Sequence, residues 1–251
     1  MKILLGEDYA AASERAAEVI RDVVKAKPDA VLGLATGSSP VGMYKALVEM
    51  NRRGEISFAK CKSVNLDEYV GLAPEHDRSY AYFMAKNFFD HIDIDKKNTN
   101  LPSGLAPDLA AECLRYDGVI ASMGGIDIQV LGIGNNGHIG FNEPSESFSK
   151  GTGIVNLTAS TIDANARFFE NRDEVPTRAI SMGVGQIVAA RRILLLAMGA
   201  GKAEILERAL FGDVTPHIPV SILQFSAHVT VCADRAALAE VIRRHPDYPL
   251  L

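Results

Sequence analysis

A histidine and a glutamate share one glycine-rich turn, Gly134-Asn135-Asn136-Gly137-His138-Ile139-Gly140-Phe141-Asn142-Glu143-Pro144, directly after an apolar run at 126–131. Imidazole titrates near neutrality, which suits proton transfer in either direction. A lone loop histidine is as readily a structural residue; the surrounding glycines and nearby Glu143 are what favour chemistry. The letters Gly132-x-Gly134-x-x-Gly137 also fit the dinucleotide fingerprint, which requires a helix to open at the turn. Pro144 opposes such a helix, so a nicotinamide cofactor is not expected.

Other segments offer complementary groups. In Ala35-Thr36-Gly37-Ser38-Ser39-Pro40, glycine allows the backbone to approach an anion, two hydroxyls donate hydrogen bonds, and Pro40 suits a first helical position. The segment is neither a Walker loop nor a nucleophile elbow, which leaves an anion loop or N-capping by Ser39. Asp67 and Glu68 end an apolar run; burying adjacent carboxylates is costly, so both are expected at a strand mouth. There they could provide a general base, cap a helix or face solvent. Lys202 opens a helical pattern, a poor position for a cation unless an anion is bound. Arg167 could clamp an oxyanion through two parallel hydrogen bonds. Taken singly, Arg167 and Lys202 read more simply as surface cations. Their weight comes from convergence on one sheet edge.

That edge follows from the elements. Strand-like stretches, apolar throughout or in alternation, at 3–5, 31–35, 63–66, 126–131, 179–182, 193–198 and 229–232 alternate with helical patterns at 9–23, 41–51, 79–89, 108–121, 202–210 and 236–243. The alternation predicts one α/β domain over residues 1–251: an open, mostly parallel, Rossmann-like sheet with helices on both faces. Ligands of such sheets sit outside the strand carboxyl ends, where the candidate residues fall. Residues 144–176 are the least regular and are expected to form a mobile lid.

Composition narrows the partners. With 47% hydrophobic and 23% charged residues, the chain can build a sizeable core. A net charge of −5 without a basic block argues against nucleic acid or anionic membrane. Cys61, Cys113 and Cys232 are scattered, as expected in a reducing compartment without zinc sites or disulfides. No signal peptide or membrane-length apolar run is visible, so a soluble cytoplasmic protein is expected.

Thr36-Gly37-Ser38-Ser39-Pro40, Asn65-Leu66-Asp67-Glu68-Tyr69-Val70-Gly71-Leu72 and the 134–144 turn resemble the glucosamine-6-phosphate deaminase family, and the similarity extends over nearly the whole chain. The resemblance implies the deaminase/phosphogluconolactonase fold type and an aldose–ketose isomerisation coupled to deamination. Glucosamine 6-phosphate and water would give fructose 6-phosphate and ammonia, in amino sugar catabolism, with no metal or organic cofactor. It also implies roles. Asp67 looks like the base that shuttles a proton between C2 and C1; His138 looks like the acid/base that opens the pyranose at O5, with Glu143 its neighbour in that relay. Gly37, Ser38, Ser39, Arg167 and Lys202 match the phosphate-binding positions.

Two departures carry expectations of their own. Hexameric, allosterically regulated members have Asp where this chain has Asn136. An amide oxygen can still fix the His138 tautomer but supports an imidazolium less than a carboxylate does. Cationic side chains of the family's allosteric site are replaced here by Gly153 and Val155. Hyperbolic kinetics without activation by an N-acetylated sugar phosphate are therefore expected, and the short C-terminus favours a monomer. The rivals are a 6-phosphogluconolactonase, which shares a Gly-His turn and phosphate site, and a non-catalytic sugar-phosphate-sensing domain.

Overall fold

The computed structural model describes residues 1–251 other than the side chains of Ala164 and Phe168. The chain opens with β1 (Lys2–Gly6) and α1 (Tyr9–Ala26). Asp8 caps α1, its carboxylate accepting the Ala11 amide at 2.8 Å. Ala12, Ala16, Ala17, Ile20, Val23 and Val24 then bury one stripe of the helix, as their spacing requires. There follow β2 (Val31–Leu34), α2 (Val41–Arg52), β3 (Lys62–Asn65), β4 (Asp67–Tyr69), α3 (Tyr80–Asn87), β5 (Thr99–Asn100), α4 (Leu109–Ser122) and β6 (Ile128–Gly132). The second half holds β7 (Gly153–Asn156), α5 (Ala159–Asn165), β8 (Arg178–Ser181), α6 (Val184–Val188), β9 (Ile193–Ala197), α7 (Ala203–Phe211), β10 (Val229–Asp234) and α8 (Ala239–Arg244).

Among the described residues, seven strands form a parallel sheet in the order β1-β10-β9-β6-β2-β3-β5, with helices packed around it. β9, near its centre, is a continuous apolar run, and every residue of it is buried, as a strand covered on both faces demands. From β2 the chain proceeds outward to β3 and β5; it then returns to the other side of β2 as β6 and continues to β9 and β10. The β2–β6 boundary is thus the topological switch point, where the loops leaving two neighbouring strands part and open a crevice. The single-domain, mostly parallel α/β architecture expected from the alternation is the one observed.

Three expectations change. Residues 179–182 do not join the main sheet: β8 lies between β4 and β7 in a separate antiparallel three-stranded sheet. Asp67 and Glu68 are not at an open strand mouth but are the buried first residues of β4. The chain holds the main sheet as far as Leu66, whose amide donates to the Leu34 carbonyl at 3.1 Å, and then diverts to pair with β8. The stretch 144–176 contains more regular structure than its composition indicates, namely β7 and α5. Glycines and polar residues masked both, because a four-residue edge strand and a seven-residue helix are too short to show a period.

Candidate active site

The crevice at the switch point is a cavity of ≈1520 Å³ lined by loops from β2, β4, β6 and β9 and by the segment around α5. On one side, the 35–40 loop passes through Gly37 at φ +93°, a left-handed conformation suited to glycine. Ser38 and Ser39 both line the cavity, and α2 begins after Pro40 with no side-chain cap, so Ser39 is not the helix cap. Instead the Tyr9 hydroxyl clamps the loop: it donates to the Ser38 carbonyl at 3.0 Å and accepts the Gly42 amide at 2.8 Å.

Lys202 stands on a 3-10 turn, Ala200–Lys202, so α7 starts one residue later than the pattern indicates. Its ammonium donates to Asn135 Oδ1 at 2.5 Å. Burial, and then the positive charge of Arg167, lower the Lys202 pKa. Arg167 reaches the same cavity from the 3-10 turn Ala166–Phe168, which continues α5. Two cations converging on one cavity repel each other unless an anion lies between them. With the serine loop alongside, this end of the cavity suits a phosphate.

The β6 loop supplies the proton-transfer groups. Gly137 takes φ +85°, and the Gly137 amide donates to the Gly134 carbonyl at 3.0 Å, closing a tight turn. The turn brings the His138 ring onto Gly134. Asn136 donates through Nδ2 to Glu143 Oε2 at 2.6 Å, which leaves Oδ1 to receive His138 Nδ1–H at 2.7 Å and the His138 amide at 3.2 Å. This network selects the tautomer whose Nε2 is the accepting nitrogen. Glu143 does not line the cavity; it lies behind, with Oε2 3.5 Å from His138 Nδ1. Burial alone would raise its pKa, but the hydrogen bond and charge of His138, with hydrogen bonds from Thr161 and Asn136, outweigh it and hold Glu143 at about 2.

Asp67 lines the same cavity as His138. Gly140, at φ +58°, carries the β6 loop across it; a Cβ there would lie 3.5 Å from Asp67 Oδ2 and 3.1 Å from Ser181 Oγ. Burial, reinforced by the charge of Glu68, pushes the Asp67 carboxyl up to about 8. Side chains alternate along β4, and Glu68 has a different task. It accepts the amides of Tyr69 at 2.8 Å, Tyr80 at 3.0 Å and Ala81 at 2.9 Å, anchoring the start of α3. Of the adjacent carboxylates, Glu68 fulfils the capping reading and Asp67 faces the cavity.

Gly37, Ser38, Ser39, Asp67, Asn136, His138, Arg167 and Lys202 therefore line one cavity, with Glu143 behind its wall and Glu68 turned away from it. Sequence reasoning missed Tyr9, Thr158 and Thr161, and the aromatic wall formed by Tyr69, Tyr80 and Phe141. The Tyr69 and Tyr80 rings lie 4.8 Å apart, and Tyr80 stacks on Phe141 at 6.0 Å. Thr158 carried a readable signal as an N-cap threonine; the others are set by contacts between distant segments.

The chain matches the family model described as glucosamine-6-phosphate isomerases/6-phosphogluconolactonase over residues 7–232. It is 54% identical over 231 residues to a glucosamine-6-phosphate deaminase of Lachnoclostridium phytofermentans, covering 92% of this chain and 98% of that one. A Clostridioides difficile protein of the same name is 48% identical over all 251 residues, the full length of both chains. The fold superimposes on a solved monomeric glucosamine-6-phosphate deaminase with a TM-score of 0.93 and 45% identity, covering 96% of this chain and 100% of that one. The 6-phosphogluconolactonase of Trypanosoma cruzi shares the fold at a TM-score of 0.75 but only 17% identity, with 96% of each chain covered. By sequence and by fold, the chain belongs to the glucosamine-6-phosphate isomerase/6-phosphogluconolactonase family, on the side of the glucosamine-6-phosphate deaminases.

Proposed function

We propose that this protein converts glucosamine 6-phosphate and water into fructose 6-phosphate and ammonia. The observation that carries the proposal is that Asp67 and His138 line one cavity whose lining also includes Lys202, Arg167 and the serine loop. That is the layout a phosphorylated amino sugar needs: an anion clamp at C6 and two proton-transfer groups near C1, C2 and O5.

Gly37, Ser38, Ser39, Arg167 and Lys202 hold the phosphate. His138, presenting Nε2, moves a proton at O5 to open the ring, and Asn136 and Glu143 steady the resulting positive charge. Asp67 carries the C2 proton to C1, which turns the C2 amine into a ketimine. Water adds at C2, and ammonia departs to leave the ketone. Proton abstraction requires an ionised Asp67, whereas burial by the protein favours its neutral form. The substrate resolves this conflict: an ammonium at C2 brings a positive charge beside the carboxyl and favours its ionised form. These steps use side chains and water alone.

Residues 144–176 serve as a lid over the phosphate, a role supported by Arg167 lying within them. The protein works as a cytoplasmic monomer, in keeping with the monomeric state of its solved relative. The deciding experiment measures ammonia release from glucosamine 6-phosphate by the wild type and by Asp67→Asn. Turnover by the wild type and its near-complete loss in the variant are expected. Hydrolysis of 6-phosphogluconolactone without ammonia release, or fructose 6-phosphate binding without turnover, would overturn the proposal.

A further inference from the structure

The reaction scheme leaves one feature of the site without a purpose. Glu143 is fixed at both oxygens, but only Oε2 belongs to the catalytic turn. Oε1 is held by hydroxyls of the α5 segment: Thr161 Oγ1 donates to it, and Thr158 Oγ1 lies 3.3 Å away. Thr161 is buried, and its amide is capped in turn by Thr158 Oγ1 at 3.3 Å. A buried carboxylate without such donors would lose much of its preference for the ionised form.

The element that presents Thr161 also carries the phosphate clamp. Thr161 is in the first turn of α5, and Arg167 follows six residues later on the 3-10 turn that continues it. Six helical residues span about 9 Å. The Ala166 amide still donates to the Ile162 carbonyl, so hydrogen bonding is continuous between the two sites. Ile162 and Phe169 pack against the small core formed by Tyr69, Phe141, Leu157 and Ala179. One short packed element thus touches the phosphate end of the cavity through Arg167 and the proton-transfer end through Thr161.

We propose that Thr161 is a positioning residue that couples phosphate binding by Arg167 to the placement of Glu143 behind His138. The inference rests on the deaminase reading above and deepens it. A substrate phosphate that draws Arg167 inward sets the register of α5, and with it the hydroxyl on Glu143. The phosphate then contributes to turnover as well as to binding, as expected when remote binding energy is used to organise a reacting centre.

The test uses Thr161→Val, which removes the hydroxyl at nearly constant volume, with Thr161→Ser as the restoring variant. Thr161→Val should lower kcat about tenfold, the scale of one hydrogen bond to a charged group, with less than a roughly twofold change in KM. It should also move the acidic limb of the kcat profile to higher pH, because a Glu143 carboxylate that no longer shares its charge with the Thr161 hydroxyl acts more fully on the imidazole behind which it lies. Thr161→Ser should restore both. In an Arg167→Ala background the Thr161→Val change should cost less than about twofold, since the coupling is already cut. A wild-type acidic limb in folded Thr161→Val, or an equal cost in both backgrounds, overturns the inference. Failure of the wild type to release ammonia overturns the deaminase reading instead.

Discussion

The imidazole of His138 lies directly against the Cα of Gly134. A Cβ at position 134 would stand 2.3 Å from Cε1, 2.4 Å from Nδ1 and 2.5 Å from Nε2. The glycine is therefore required by the ring rather than by its own backbone angles. Gly134→Ala should displace the imidazole and lower kcat about a hundredfold, the scale of a roughly 1 Å misplacement of a catalytic group. Steady-state ammonia release at saturating substrate measures the effect. Unchanged kcat in this variant would show that the ring position is immaterial.

Asp67 makes two opposite predictions for one substitution. Its folded pKa is raised from 3.8 to about 8, so the native state holds a proton that the unfolded chain releases. The associated stability is complete below pH 3.8 and is lost as pH rises through about 8. Asn mimics the neutral acid at every pH. Asp67→Asn should therefore abolish turnover and still raise the melting temperature at pH 8 by roughly 2–4 °C, equivalent to about 1 kcal/mol in a protein of this size. The gain should shrink towards pH 4. Calorimetry across that range checks the sign, and a lower melting temperature at pH 8 would refute it.

The same residue can be followed directly. In the free enzyme, the Asp67 carboxyl carbon resonance, assigned through Asp67→Asn, should titrate near pH 8. A bound sugar phosphate carrying a C2 ammonium should shift that titration towards lower pH, whereas fructose 6-phosphate should not. A titration in the ordinary aspartate range without added substrate would remove the need for substrate-assisted ionisation.

Asn136 sits between His138 and Glu143, donating to one and accepting from the other. Asn136→Asp would exchange the amide donor to Glu143 for a second carboxylate. The extra negative charge favours the charged imidazole, so ring deprotonation would require higher pH. The acidic limb of the activity profile should move up by about half to one pH unit, the ordinary effect of a neighbouring charge. Coincident limbs for the two enzymes would argue against a role for Asn136 in setting His138.

Gly153 and Val155 lie on β7, where the regulated relatives are expected to carry cations. Rate against glucosamine 6-phosphate should be hyperbolic, with a Hill coefficient of about 1, and N-acetylglucosamine 6-phosphate should not activate. Sedimentation under assay conditions should give one protomer mass. A sigmoidal curve straightened by the acetylated sugar would overturn both expectations.

Local rules made much of this protein legible from its residues. Apolar stretches and helical spacing identified the strands of the parallel sheet other than the two-residue β5, and its long helices, since burial on two faces or one stripe leaves a period in the chain. Glycine placement and side-chain chemistry were enough to find the β6 turn, the serine loop and the cations. Tertiary structure alone decided the rest. It bent β4 away from the main sheet, buried Asp67 with a pKa near 8 and turned Glu68 to the start of α3. It brought Tyr9 onto the serine loop and Thr161 onto Glu143. Those contacts join segments whose spacing along the chain carries no period, and the shift of a carboxyl depends on which atoms exclude water from it. Residue type and order specify what each group can do; the packed fold determines what surrounds it, and so its charge.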